Sequence, residues 1–170
     1  MTRGLTADED EDDDAMDATS TIIELHGRIE RLFHAYDNAH GSPVRQLSQL
    51  HAIADVLAVH ATVEDELLYP AVRAETAEYN AEIDREQEQH NLMSLLLVEL
   101  GSMSPTDSRY DAKVQVLKQV FHQHARDQED TLLPLLRGAL GPVEGAALGQ
   151  RLWDRGARLE NPKEPAWSLR

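Results

Sequence analysis

Apolar side chains recur every three or four residues along most of this chain, the period of one face of an α-helix. Ile22, Leu25, Ile29, Leu32, Phe33 and Tyr36 predict a first helix from about Thr19 to His40. Gly41 ends it. Ser42 can cap the next helix, and Pro43 fits a first turn, where a missing amide hydrogen costs nothing. The second helix is predicted over Pro43 to Ala71, with Leu47, Leu50, Ile53, Ala54, Leu57, Ala61, Glu64 and Leu68 on its inward stripe. A third runs from about Thr76 to Leu100, supported by Ile83, Leu92, Leu95, Leu96 and Val98, and stops at Gly101. Ser104, Pro105 and Asp107 supply a hydroxyl cap, a first-turn proline and an acid near free amides, so a fourth helix is expected from there to about Leu136. Pro134 is expected to end or kink it. Val143 to Leu159 reads as a short fifth helix with Leu148, Leu152 and Trp153 packed on the others. Residues 161–170, with Pro162, Pro165 and Trp167, read as an extended tail.

The expected fold is therefore all-α: an antiparallel up-down four-helix bundle over residues 19–138, preceded by an acidic tail at 1–18 and followed by a C-terminal extension at 139–170. The tail contains seven consecutive acids, Asp8 to Asp14. Charge at that density repels itself and buries no apolar area, which predicts disorder. The 170 residues suffice for one domain with a sizeable core.

Charge and cysteine content narrow the function. With 31 acidic and 16 basic side chains, the formal net charge is -15. That disfavours a nucleic-acid backbone or an anionic membrane as partner, since both are held by clustered positive charge. No stretch reaches the length of apolar sequence needed to span a bilayer. The chain has no cysteine. Disulfides, zinc–thiolate sites, cysteine-ligated clusters and catalytic thiols are excluded, and a cytoplasmic location is expected.

A repeat carries the candidate chemistry. His26 is followed by His60, Glu64 and Pro70, and 64 residues after each come His90, His124, Gln128 and Pro134. Imidazoles are borderline ligands for Fe, Zn, Cu or Ni, and carboxylates add hard oxygen donors. His26 lies 16 residues before Ser42 and His60 lies 18 after it. At about 1.5 Å of rise per residue, the two rings reach nearly one level of an antiparallel pair. His90 lies 14 before Ser104 and His124 lies 20 after it, a looser match. His60 and Glu64, four apart, share a helix face. Glu86 precedes His90 by four and shares its face. Two matched halves read as a buried binuclear site. Gln128 stands where Glu64 stands in the first half, and its neutral carbonyl is a weaker donor. Glu129 is one residue further round the helix, and either of the two can complete the site. Tyr36 and Tyr69 can donate hydrogen bonds or bind iron. His34, His40, His51 and His122 fall outside the inward set.

These residues resemble the hemerythrin family, especially its bacterial HHE cation-binding domains: His26, His60-Ala-Thr-Val-Glu64 with Leu68-Tyr69-Pro70, His90, and His124 with Leu132-Leu133-Pro134, over about residues 20–137. The resemblance implies a four-helix bundle holding two iron ions, joined by an oxo or hydroxo bridge and by carboxylates. His26, His60, His90 and His124 are then terminal ligands and Glu64 a bridge. The oxygen carriers of the family are similar in having an acid where this chain has Glu129. They have histidine at the place of Glu86, and many bacterial relatives have glutamate at the place of Gln128. A carboxylate in place of an imidazole favours the ferric state, which suits reversible dioxygen storage poorly. The reading is a protein that binds or senses dioxygen, nitric oxide or peroxide. The alternatives are a peroxide-decomposing enzyme of catalase or peroxidase type, and a helical interaction protein with a degenerate metal site.

Overall fold

The computed structural model describes residues 17–161, and all of its regular structure is helical. Helix α1 spans Ala18–Asn38, α2 Pro43–Val63, α3 Tyr69–Glu75, α4 Asn80–Ser102, α5 Tyr110–Asp127, α6 Leu133–Ala139 and α7 Pro142–Glu160. Two π-helical turns, Glu64–Leu68 and Gln128–Leu132, join α2 to α3 and α5 to α6 without interrupting the helical path. Helix α1 packs mainly on α2, and α4 on α5. Helix α7 lies against α1 and α2. Among the described residues, no helix is long and apolar enough to cross a membrane. Most of the acidic segment, and Pro162, Pro165 and Trp167 of the expected C-terminal tail, lie outside the described residues.

Local chemistry shifts several predicted boundaries. Asp17 and Ala18, read from charge as tail, start α1 instead. The Asp17 carboxylate accepts from the Ser20 amide at 2.7 Å, Ala18 is buried, and Arg137 of α6 lies 3.2 Å from the same side chain. Partial burial works against the charge on Asp17, but the Ser20 amide and hydroxyl and Arg137 outweigh it and lower its pKa. A carboxyl lowered on folding adds stability above its unfolded value, and that stability is lost as pH falls through the folded value. Asp17→Ala should therefore cost about 1 kcal/mol near neutrality, the usual worth of an N-cap. In urea titrations the gap from wild type should close on acidification below the ordinary carboxylate range.

Ser42 occupies the cap position of α2 but makes no side-chain cap bond, leaving Pro43 as the start signal. Helix α5 begins at Tyr110 rather than at Ser104. The Ser104 hydroxyl turns onto Thr106, and Asp107 accepts from the Arg109 amide at 2.8 Å, so the segment spends its polar side chains on turns. On α4 the inward stripe is Ile83, Glu86, His90, Met93, Leu96 and Leu100, while Leu92, Leu95 and Val98 are exposed. Trp153, expected to pack, is half exposed, whereas Leu148 and Leu152 are buried.

The two prolines produce the π turns. In a regular helix the Pro70 ring would collide with the carbonyl of Glu66, and Pro134 with that of Asp130. A widened turn relieves this. The Tyr69 amide bonds to the Glu64 carbonyl, and the Leu133 amide to the Gln128 carbonyl, each five residues back. The extra residue rotates the helix, so neighbours Leu68 and Tyr69 both point inward, as do Leu132 and Leu133. Pro134 thus ends no helix; it widens one.

Two apolar clusters form the core. One contains Ile29, Phe33, Ile53, Leu57, Met93 and Phe121. The other contains Ile22, Val63, Leu68, Ile83, Leu132 and Leu136. Along each long run the same transition occurs: His26 falls between Ile22 and Ile29, His60 between Leu57 and Val63, Glu86 and His90 between Ile83 and Met93, and His124 and Gln128 between Phe121 and Leu132. A buried polar layer separates two greasy ones.

Candidate metal centre

That layer contains the four repeat histidines. His26 is 4%, His60 0%, His90 5% and His124 0% exposed, with Glu64 and Gln128 at 0% and Glu86 at 1%. Their rings crowd together: centroids are 4.6 Å apart for His90 and His124, 5.0 Å for His60 and His124, and 5.1 Å for His26 and His60. Ring nitrogens face one another, His60 Nε2 lying 2.9 Å from His124 Nε2. Donor atoms of His26, His60, Glu64 and His124 all fall within 4.8 Å of one another. Phe121 borders this layer, its ring 6.0 Å from that of His26 and 6.3 Å from that of His60.

Glu64 divides the imidazoles into two pairs. Its Oε1 lies 3.2 Å from His60 Nδ1 and 3.8 Å from His26 Nε2. Its Oε2 lies 3.2 Å from His90 Nε2 and 3.4 Å from His124 Nε2. Glu86 joins the second pair, with Oε2 2.7 Å from His124 Nδ1.

Gln128 and Glu129 take separate places. The Gln128 amide nitrogen donates to Glu64 Oε2 at 2.7 Å and to the Tyr69 hydroxyl oxygen at 2.8 Å. The Tyr69 hydroxyl in turn donates to Glu64 Oε2 at 2.9 Å. The widened turn makes this contact, because it brings Tyr69 inward five residues after Glu64. Glu129 stands at the edge of the layer, its carboxylate 2.7 Å from His26 Nδ1, the ring nitrogen turned away from Glu64.

Asp65, which the sequence reading did not single out, does the same less closely at the other end, 3.8 Å from His90 Nδ1. The signal was present: Asp65 and Glu129 are 64 residues apart, as are His26 and His90. Each half lends an acid to the first histidine of the other half.

The remaining candidates lie elsewhere. The Tyr36 hydroxyl donates to Asp111 at 2.7 Å within the other end of the core. His34 and His122 flank Glu30 at 3.2 and 2.6 Å. His40 and His51 are exposed.

The electrostatics centre on Glu64. Burial opposes its ionisation, but His60, His124, His26 and His90 hold it well below the usual carboxylate range. Burial holds His60 well below the usual histidine range; Glu64 opposes this, while the neighbouring imidazoles add to it. For His90 burial is outweighed by Asp65 and Glu64, which push it up to about 9. For His26 burial is outweighed by Glu129 and Glu64, and its pKa is raised. Burial and Glu64 push the Tyr69 phenol upward, so it stays a hydrogen-bond donor.

A cation fits what these atoms lack. Among the described residues, nine buried side-chain polar atoms have no hydrogen-bond partner, and seven of them belong to this layer: His26 Nε2, His60 Nδ1, Glu64 Oε1, Glu86 Oε2, His90 Nδ1, His124 Nδ1 and Gln128 Oε1. The 2.7 Å approach of Glu86 to His124 lacks hydrogen-bond alignment and leaves both atoms without a hydrogen-bond partner. An unsatisfied buried polar atom costs roughly 1–3 kcal/mol. Concentrating so many in one buried layer is unfavourable unless cations supply missing partners.

Comparison with known proteins points the same way. The profile of the Hemerythrin HHE cation binding domain family matches residues 17–136. A protein of Nostoc sp. strain PCC 7120 described as a DNA nickase is 27% identical over 139 residues, which is 81% of this chain but 38% of that protein's length. A crystal structure of a hemerythrin HHE cation-binding domain-containing protein from Mycobacterium kansasii, an Rv2633c homologue, superposes with a TM-score of 0.76. It covers 86% of this chain and 88% of its own at 21% identity, a likeness of fold. Inward-facing histidines on four helical runs, their glutamate and the profile match over most of the chain together place this protein in the hemerythrin HHE cation-binding domain family.

Proposed function

We propose that the protein is a two-iron, hemerythrin-like module of the cytoplasm that binds or senses dioxygen, nitric oxide or peroxide. Its helices would form an antiparallel up-down bundle around the metal layer. The observation that carries this reading is the placement of Glu64, one carboxylate oxygen toward His26 and His60 and the other toward His90 and His124. One carboxylate offering an oxygen to each of two imidazole pairs suits two ions better than one. His26, His60, Glu64, Glu86, His90 and His124 would hold the metals. Glu129 would orient His26, and Gln128 with Tyr69 would fix Glu64, as carboxylates and amides orient ligands in other metal sites. The neutral amide of Gln128 keeps a second negative charge away from Glu64 while satisfying one of its oxygens. Iron held there supplies Lewis acidity and one-electron redox capacity.

The chain's own residues set the conditions for that chemistry. Phe121 and the two apolar clusters exclude water, which strengthens electrostatic interactions within the layer. Tyr69 keeps its proton beside Glu64, available as a hydrogen-bond donor but not as a ready acid. Among the described residues, Glu129 and Asp65 are exposed side chains that reach the layer, and each meets a ring nitrogen turned away from Glu64, on His26 and His90 respectively. That favours ligand binding over rapid turnover, and ranks the peroxide-decomposing enzyme second. A DNA-directed role finds no support in a chain with a net charge of -15.

The test is to titrate the iron-loaded protein with nitric oxide and hydrogen peroxide while recording optical spectra and oxygen release. Saturable spectral change without sustained oxygen release is expected. Many turnovers of peroxide per chain would move the assignment to the enzyme.

A further inference from the structure

One cleft reaches the buried layer on the His26 side, while at the opposite end the exposed Asp65 stands beside His90. This cleft, of about 420 Å³, lies between α1 and α5 and is lined by His26, Gly27, Glu30, Phe121, His122 and Glu129 among others. Four other clefts are lined by none of the layer's side chains. At the mouth, Glu30 is flanked by two imidazoles, His122 Nε2 at 2.6 Å from Oε2 and His34 Nε2 at 3.2 Å from Oε1. Further in, the Glu129 carboxylate is 41% exposed yet lies 2.7 Å from Nδ1 of His26, which is 4% exposed. Glu129 is therefore a single side chain that touches both water and the layer. The cleft also contains Asp130 and Arg126, so three acids face one fixed cation.

We propose that this cleft is a capture site and port for the divalent transition-metal ion that fills the centre, a proposal that rests on the metal-binding reading above. Glu30 and His122, with His34 beside them, are the capture ligands, and the Glu129 carboxylate marks the inner end, where the ion passes to the free Nε2 of His26. Mixed imidazole and carboxylate donors suit such an ion and match those of the layer, so transfer proceeds between similar sites. The acid excess raises the local cation concentration and the rate of encounter, an effect that salt weakens. Glu30, His34 and His122 stand outside the buried layer, so they govern how fast metal arrives and not how much is finally held.

The test uses Co²⁺ as probe, followed by its visible absorbance in stopped flow against the metal-free full chain. The variants are the double substitution Glu30→Gln with His122→Gln, and Gly27→Leu, which fills the cleft. A Cβ on Gly27 would meet only the flexible end of Arg31, at 3.4 Å, so the backbone admits a side chain there. The double variant is expected to load about tenfold more slowly, within the range known for electrostatic steering, with weaker salt dependence. Gly27→Leu should also load more slowly. Both should reach the wild-type Co²⁺ content and spectrum, and neither should melt below wild type, Gly27→Leu gaining the helix propensity that glycine lacks inside α1. Wild-type loading rates in both variants would overturn the port. Failure of the wild type itself to take up Co²⁺ would overturn the metal-binding reading, and the port with it, and is recognised by the absence of any visible band.

Discussion

Metal-free protein is expected to melt roughly 10 °C below the loaded form, from about 4 kcal/mol of linkage at a thousandfold excess of ion over Kd and about 2–4 °C per kcal/mol for a chain of this size. The reason lies in the layer between the two apolar clusters. Seven of its buried polar atoms have no hydrogen-bond partner. His60 stays neutral at neutral pH because it is wholly buried among other imidazoles. Without an ion, His60 Nε2 and His124 Nε2 share one hydrogen bond at 2.9 Å, and the Nδ1 atoms of both rings are left without a partner. Protons on His90 and His26 relieve part of this, held by Asp65 and Glu129. An ion relieves more of it, because it accepts from imidazole and carboxylate at once. Calorimetry with and without a chelator measures the difference. Equal melting temperatures would mean that the layer is stable without a cation.

The second large effect is expected from Glu64→Gln. The substitution keeps the shape of the side chain and an oxygen that can accept from Gln128 and Tyr69, while it removes the charge and turns the other oxygen into a donor. It removes the one anion that faces both imidazole pairs. Breaking a buried charge cluster in this way costs about 3–5 kcal/mol, which corresponds to roughly a hundredfold to a few thousandfold in metal affinity at about 1.4 kcal/mol per decade. Both ions should be lost together, because Oε1 and Oε2 serve different pairs. Competition with a colorimetric chelator reads the affinity, and metal analysis reads the stoichiometry. Loss of one ion with the other retained at wild-type affinity would place Glu64 on a single ion.

Much of the fold was legible because its signals are periodic and local. The run Ile22 to Tyr36 on α1 alternates at three and four residues, and the structure buries Ile22, Ile29, Phe33 and Tyr36. Helix α4 was harder. Its inward stripe contains Glu86 and His90, so a search for apolar residues selected Leu92, Leu95 and Val98, which face solvent. The functional residues themselves masked the period. The π turns were invisible for a different reason: a proline in a helical pattern says that the regular turn fails, but not whether it breaks, kinks or widens. Only the identical placement of Pro70 and Pro134 after Glu64 and Gln128 hinted that both halves resolve it alike.

The candidate site was legible as a repeat, and its internal division was not. Spacing alone could assign His60 and Glu64 to one helix face. It could not show that Gln128 donates to Glu64, or that Glu129 lies against the outer nitrogen of His26. Those contacts join side chains of different helices, and spacing along one helix does not give their orientation across the bundle. Applying the 64-residue shift to Glu129 would have singled out Asp65, whose carboxylate faces His90.

The central claim, that one glutamate joins two pairs of histidines around two metal ions, is tested most directly by anaerobic iron loading followed by metal analysis and Mössbauer spectroscopy. Two irons per chain with antiferromagnetic coupling in the oxidised protein are predicted. A single uncoupled ion at saturation, or a stoichiometric mononuclear zinc, would contradict it.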